Sequence, residues 1–253
     1  MKHALGSSRF LIIFSVFLFS SFAYAQAVNG NFTVVTGHVQ VKSAATGRVM
    51  NAKLGERVYP EDTVMTGNKS QAKIVMGDGN IINVMPDSRF EVEVYQYKPQ
   101  QNKKNVLLRI VYGKIRATVQ QKYFGANKFR VYTPSAVVGV RGTDFIVSYN
   151  TSTHVSTIIT FRGRVEFGHL NSAGHFTHPV FVNAGEMSRI LAFRRPMPPA
   201  RMSKDFIEKM ERESNANPIG RQKEILRNPH PHKRLPHLHR HHVALPKSHP
   251  KVG

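Results

Sequence analysis

Histidine is the one metal-capable side chain present in quantity, and it concentrates near the C-terminus. His230, His232, His237, His239, His241 and His242 fall within one basic stretch, with His249 beyond them. Imidazole nitrogen suits zinc, copper or nickel, and a flexible His-rich tract can capture such ions without a preformed site. The same tract also reads as a solvated basic tail that gains charge below about pH 6.5. No set of these histidines has zinc-finger spacing, and no acidic residue lies between His230 and His249. No cofactor is therefore expected, and loose binding of Zn, Cu or Ni by the tail is the residual metal chemistry.

Other routes to catalysis are poorly supplied. The chain has no cysteine, which removes disulfides, thiolate nucleophiles and thiolate metal sites. It contains neither a Gly-x-Ser-x-Gly elbow nor a phosphate-cradling Gly-x-x-x-x-Gly-Lys loop. Glu91 and Glu93 alternate along one strand-like run, so they share a face and read as a solvated edge. Asp78 and Asp87 sit in turn-like contexts. These absences predict a non-enzymatic protein. Arg141 stands among Val137, Val138, Val140, Phe145 and Ile146, where a partly buried guanidinium needs a carboxylate or several carbonyls. Asp144 is the candidate partner, and a structural corner is favoured over an anion-binding arginine.

Charge is the unusual feature of the composition. The 36 Lys and Arg face 15 Asp and Glu, for a formal net charge of +21. Such a surplus attracts polyanions. An envelope protein or an anionic cell-wall or polysaccharide polymer is the expected partner. Nucleic acid is the less economical one, because no binding motif appears and the N-terminus directs export. That N-terminus carries Lys2, His3 and Arg9, an apolar run from Phe10 to Phe22, and then Ala23-Tyr24-Ala25. This is the layout of a signal peptide over residues 1–25, cleaved to leave Gln26 first. The run is shorter than the roughly 20 apolar residues that span a bilayer. A periplasmic or secreted protein is expected, with no transmembrane segment after cleavage.

The elements that must carry these residues are strands. From Asn31 to Phe193, short runs rich in Val, Ile, Thr, Phe and Tyr alternate with Gly, Asn, Asp and Pro. This predicts an all-β domain over 31–193. Asp78-Gly79 has the chemistry of a tight hairpin turn. Tyr112-Gly113-Lys114 and Arg162-Gly163-Arg164 read as further turns or bulges. One-sided alternation, as at Phe90, Val92 and Val94 against Glu91 and Glu93, requires a covering layer, hence a solenoid-like roll or sandwich. Residues 194–214 form a Pro-rich break and then a short docking helix. Ser203 is its N-cap, and Met202, Phe206, Ile207 and Met210 make its apolar stripe. Residues 215–253 are His/Lys/Arg/Pro-rich and are expected to be disordered.

The segment Tyr132-Thr133-Pro134-Ser135-Ala136-Val137-Val138-Gly139-Val140-Arg141-Gly142-Thr143-Asp144-Phe145-Ile146-Val147 closely resembles the signature of FecR-type extracytoplasmic domains. Other stretches agree in order: Gly37-His38-Val39, Gly55 to Val58, Asp62 to Gly67, Ser70 to Ile74, Gly77 to Ile81, Gly113 to Ala117 and Gly163 to Val165. The resemblance spans Gly37 to Gly168. It implies an all-β fold in which Thr133, Pro134, Gly139, Arg141, Gly142, Thr143, Asp144, Phe145, Asp78 and Gly79 are signature positions of structural character. In the founding ferric-citrate regulator, such a domain passes a periplasmic signal to an anti-sigma segment. Met1 to Arg9 is too short for a cytoplasmic sigma-contacting domain, so a free-standing secreted relative is expected. Two functions compete. The first is an exported envelope binding or structural module. The second is a periplasmic sensor or regulatory component acting with separate membrane partners.

Overall fold

The computed structural model describes residues 30–101, 103–192 and 194–215. The signal-peptide residues and the tail histidines lie outside the described residues. The described residues form seventeen strands, one 3-10 turn and one helix. The first eight strands are β1 (Gly30–Thr36), β2 (Val39–Lys42), β3 (Val49–Asn51), β4 (Arg57–Val58), β5 (Thr63–Thr66), β6 (Gln71–Met76), β7 (Ile81–Val84) and β8 (Ser88–Lys98). After the 3-10 turn Pro99–Gln101 come β9 (Lys103–Thr118), β10 (Lys128–Thr133), β11 (Ala136–Val140), β12 (Asp144–Asn150) and β13 (Val155–Arg162). The series closes with β14 (Arg164–Leu170), β15 (Phe176–Asn183), β16 (Glu186–Leu191), β17 (Ala200–Arg201) and helix α1 (Lys204–Ser214). The all-β expectation therefore holds, with one short helix. No helix among the described residues is long and apolar enough to cross a membrane.

The hydrogen-bond ladders resolve into two layers that share one strand. In the first, neighbours run β4, β1, β6, β7, β9, β12, β13, β16, β17. In the second they run β3, β2, β5, β8, β9, β10, β11, β14, β15. Strand β9 belongs to both: Lys103–Tyr112 pairs with β8, and Gly113–Thr118 continues into the other layer. Gly113 was expected to separate two strands, but it is the corner of a single one. Its φ is +87°, and a Cβ there would lie 2.5 Å from the Asp87 carbonyl oxygen and from Ser88 Cα. Only glycine reaches that backbone and fits that space.

Strand alternation fills the space between the layers. Phe90, Val92, Val106, Leu108 and Ile110 from one layer meet Ile74, Ile82, Ile115, Phe145 and Val147 from the other in one continuous core. The β10–β9 pairing is the parallel one, while the ladders around it are antiparallel. Helix α1 lies on the outer face of the first layer, where Met210 packs with Ile146 and Ile159. Met202 joins this contact, but Phe206 remains exposed, so the docked stripe is narrower than the sequence predicts. Ser203 caps the helix as expected, its Oγ accepting from the Phe206 amide at 3.3 Å.

Candidate functional site

Four crossings between the layers from β9 onward converge at one end of the molecule. They are the loop 119–127 from β9 to β10, the bend Arg141-Gly142-Thr143 from β11 to β12, Gly163 from β13 to β14, and Ala184-Gly185 from β15 to β16. The Val119 amide donates to the Thr143 carbonyl at 2.8 Å. A Cβ on Gly163 would lie 2.8 Å from Thr143 Cγ2 and 3.1 Å from the Gly142 carbonyl. Thr143 is thus a buried packing residue whose methyl sits beneath a glycine. Gly142, at φ +109°, turns the chain against the carbonyl of Gln121.

Asp78 and Gly79, the turn between β6 and β7, arrive at the same end. Asp78 is more than a turn residue: it is 6% exposed and is the acceptor of a buried network. Tyr95 donates its hydroxyl to Asp78 Oδ1 at 2.6 Å, and Tyr123 donates to Oδ2 at 3.3 Å. Asn80, fully buried, donates its amide to Oδ2 at 2.8 Å, and its own carbonyl accepts from the Gln120 backbone at 2.9 Å. Gln121 Nε2 reaches the Asp78 carbonyl at 2.9 Å. Burial foremost, then the neighbouring carboxylate, pushes the phenols of Tyr95 and Tyr123 well above their ordinary value. This network fastens loop 119–127 to the β6–β7 turn. Sequence reading missed it because Tyr95 and Tyr123 are remote in the chain from the Asp-Gly pair.

The other signature residues divide by depth. Thr133 Oγ1 lies 2.6 Å from Ser156 Oγ, and Ser135 Oγ is also 2.6 Å from that atom, so the β10–β11 turn containing Pro134 is tied to β13. Phe145 is fully buried. Gly139 leaves room for an aromatic ring on the outer face, since a Cβ there would lie 2.9 Å from Phe176 Cε2. Asp144 does not pair with Arg141. Its carboxylate takes a two-pronged contact from Arg116, Nε to Oδ1 at 2.9 Å and the second terminal nitrogen to Oδ2 at 2.8 Å. Antiparallel register explains the substitution: Thr118 faces Asp144 and Arg116 lies two residues away on the same face of β9, whereas the φ of Gly142 swings Arg141 outward. Arg141 is exposed to solvent.

Around Arg141 the surface is basic and aromatic. A cleft of about 430 Å³ is lined by Phe124, Lys128, Arg130, Arg141, Arg164 and Phe181, with Glu166 its acidic residue. A neighbouring hollow has Phe124 and Arg141 in its lining as well and adds Lys122 and Arg162. Arg164 stacks over Phe181 at 4.8 Å, and Arg130 lies 5.8 Å from the ring of Phe176 while donating to the Gly174 carbonyl at 2.9 Å. Elsewhere, a wider hollow of about 790 Å³ near Tyr112, Tyr149 and Met197 has no comparable grouping of charge. Glu91 and Glu93 are not a free carboxylate pair; they form ion pairs with Arg89 and Arg109 on the outer face of β8 and β9. No group of three potential metal ligands occurs among the described residues.

Residues 62–166 match the family model described as FecR protein. The match begins at Asp62, whose buried carboxylate accepts from the Ala44 and Tyr59 amides at 3.0 and 2.9 Å. No curated protein matches the chain. Two crystal structures of a candidate anti-sigma factor from Parabacteroides distasonis resemble it at 13% identity, with TM-scores of 0.46 and 0.45. They cover 58% and 59% of this chain, which spans 62% and 63% of theirs. A structure titled cell surface anchoring domain is 30% identical over 25% of this chain and 82% of its own, with a TM-score of 0.24.

Proposed function

We propose, for a chain whose residues 62–166 form a FecR domain, a role as an extracytoplasmic sensor or regulatory component that acts with separate membrane partners. The observation that carries this reading is the family match itself, because the FecR family is one of regulators rather than enzymes. It favours regulation over the structural envelope module that composition alone suggests. FecR domains are extracytoplasmic, and the signal-like residues 1–25 supply a route for export. In this reading the mature chain begins at Gln26 and works in the periplasm or beyond.

The geometry supports a domain built to present a surface rather than to turn over a substrate. The buried Asp78 network holds a loop to a turn, and a group of basic side chains outside any ion pair faces solvent at the crossing end. Photo-crosslinking the full-length exported chain in intact cells, followed by identification of adducts, tests the proposal. A discrete membrane protein partner is expected. Adducts confined to cell-wall or polysaccharide polymer would overturn the regulatory reading and return the structural module.

A further inference from the structure

The crossing end concentrates positive charge. Lys122, Lys128, Arg130, Arg141, Arg162 and Arg164 line two neighbouring hollows whose acidic lining residue is Glu166. Among the described residues, none of the six takes part in an ion pair. Like charges gathered on one surface repel one another, and an anionic partner would relieve that repulsion. Four of the six are arginines, whose planar fork matches a carboxylate two atoms at a time. Two large apolar side chains stand in the same surface: Phe124 is 59% exposed and Phe181 50%. Phe124 is held there by the residue before it, since Tyr123 is 1% exposed and bonded into the Asp78 network.

We propose that this cleft docks an acidic segment of a partner protein, with carboxylates on the arginine forks and an apolar side chain against Phe124 and Phe181. Exposed aromatics among arginines are the composition of protein-binding hot spots. The chain's own tail is excluded as occupant by charge, because residues 215–253 are strongly basic. A carboxylated polysaccharide is the competing occupant: Phe181 already carries the Arg164 guanidinium on one face, which leaves Phe124 as the ring open to sugar stacking. The proposal rests on this surface alone and stands or falls independently of the regulatory reading.

The test uses the full-length exported chain and a short fluorescein-labelled peptide of glutamates flanking two phenylalanines, read by fluorescence anisotropy at about 0.15 M ionic strength. R141E/R164E should weaken binding about tenfold or more. F124A/F181A should weaken it about fivefold. K53E/R57E, with the same charge change on exposed residues that line neither hollow, should change it less than about twofold. If R141E/R164E alters thermal unfolding, R141Q/R164Q replaces it, with about fivefold weakening expected. Unchanged binding by the cleft variants overturns the proposal. So does alginate displacing the peptide at equal carboxylate concentration with Phe124 and Phe181 dispensable.

Discussion

Asp78 is taken out of water with hydroxyl and amide donors around it, and it has no ion pair among the described residues. Removing the carboxylate takes the acceptor from four donors at once, the backbone amide of Asn80 among them, and each unsatisfied buried group costs about 1–3 kcal/mol. Asp78→Ala should therefore lose about 3 kcal/mol or more in urea unfolding, with Asp78→Asn losing less because it keeps an acceptor. The phenols make a separate prediction. Their folded pKa values are raised, so the folded state holds protons that the unfolded state gives up. That contribution is complete below the unfolded tyrosine pKa of about 10 and is lost as pH rises beyond it. Stability measured between pH 9 and 11 should fall steeply, and Tyr95→Phe/Tyr123→Phe should flatten the fall. Asp78-Gly79 was legible as a turn because its dipeptide chemistry is local. The burial of Asp78 was not, because it depends on two tyrosines brought in from 17 and 45 residues away.

Helix α1 shows what an element needs beyond its own sequence. Its cap and apolar stripe were readable from residue type and 3.6-residue spacing. Its lock was not. Arg116, bonded to Asp144, also donates to Ser214 Oγ at 3.1 Å and to the Glu211 carbonyl at 3.3 Å, at the helix C-terminus where a cation is favoured. The guanidinium lies 4.5 Å from the Phe161 ring. Arg116→Ala leaves the largely buried Asp144 carboxylate without its cation. It also removes a strand side chain that bonds the last helical turn, with Gln71 Nε2 still donating to the Glu213 carbonyl at 3.0 Å. About 2 kcal/mol of global stability should be lost, and amide exchange across Lys204–Ser214 should accelerate more than in the strands. Equal protection of the helix in the variant would mean that Met210 packing and the Gln71 bond to Glu213 hold it without Arg116. The Arg141 expectation failed for a related reason: proximity in sequence suggested Asp144 as partner, but pairing in a sheet follows register across strands.

At the scale of the molecule, two sheets joined through one bent strand place every crossing from β9 onward at one end or the other. The signature segment and the Asp-Gly turn, 63 residues apart from Asp78 to Arg141, meet there. Alternation was enough to predict layered β structure, and the ordered motifs were enough to suggest the family. Which charges would stay unpaired was not readable, because it depends on the pairing already made by Arg89, Arg109 and Arg116. Truncation after Asn215 should leave thermal unfolding nearly unchanged, since the core and the Arg116 lock lie before that point. A large loss of stability on truncation would show that the tail packs on the domain.

The regulatory claim is tested most directly by transcript profiling of a clean deletion, complemented either with the full chain or with a form lacking residues 2–25. A defined set of transcripts should change on deletion and return only with the full chain. No transcript change, or equal rescue by the form lacking residues 2–25, would contradict an extracytoplasmic regulator.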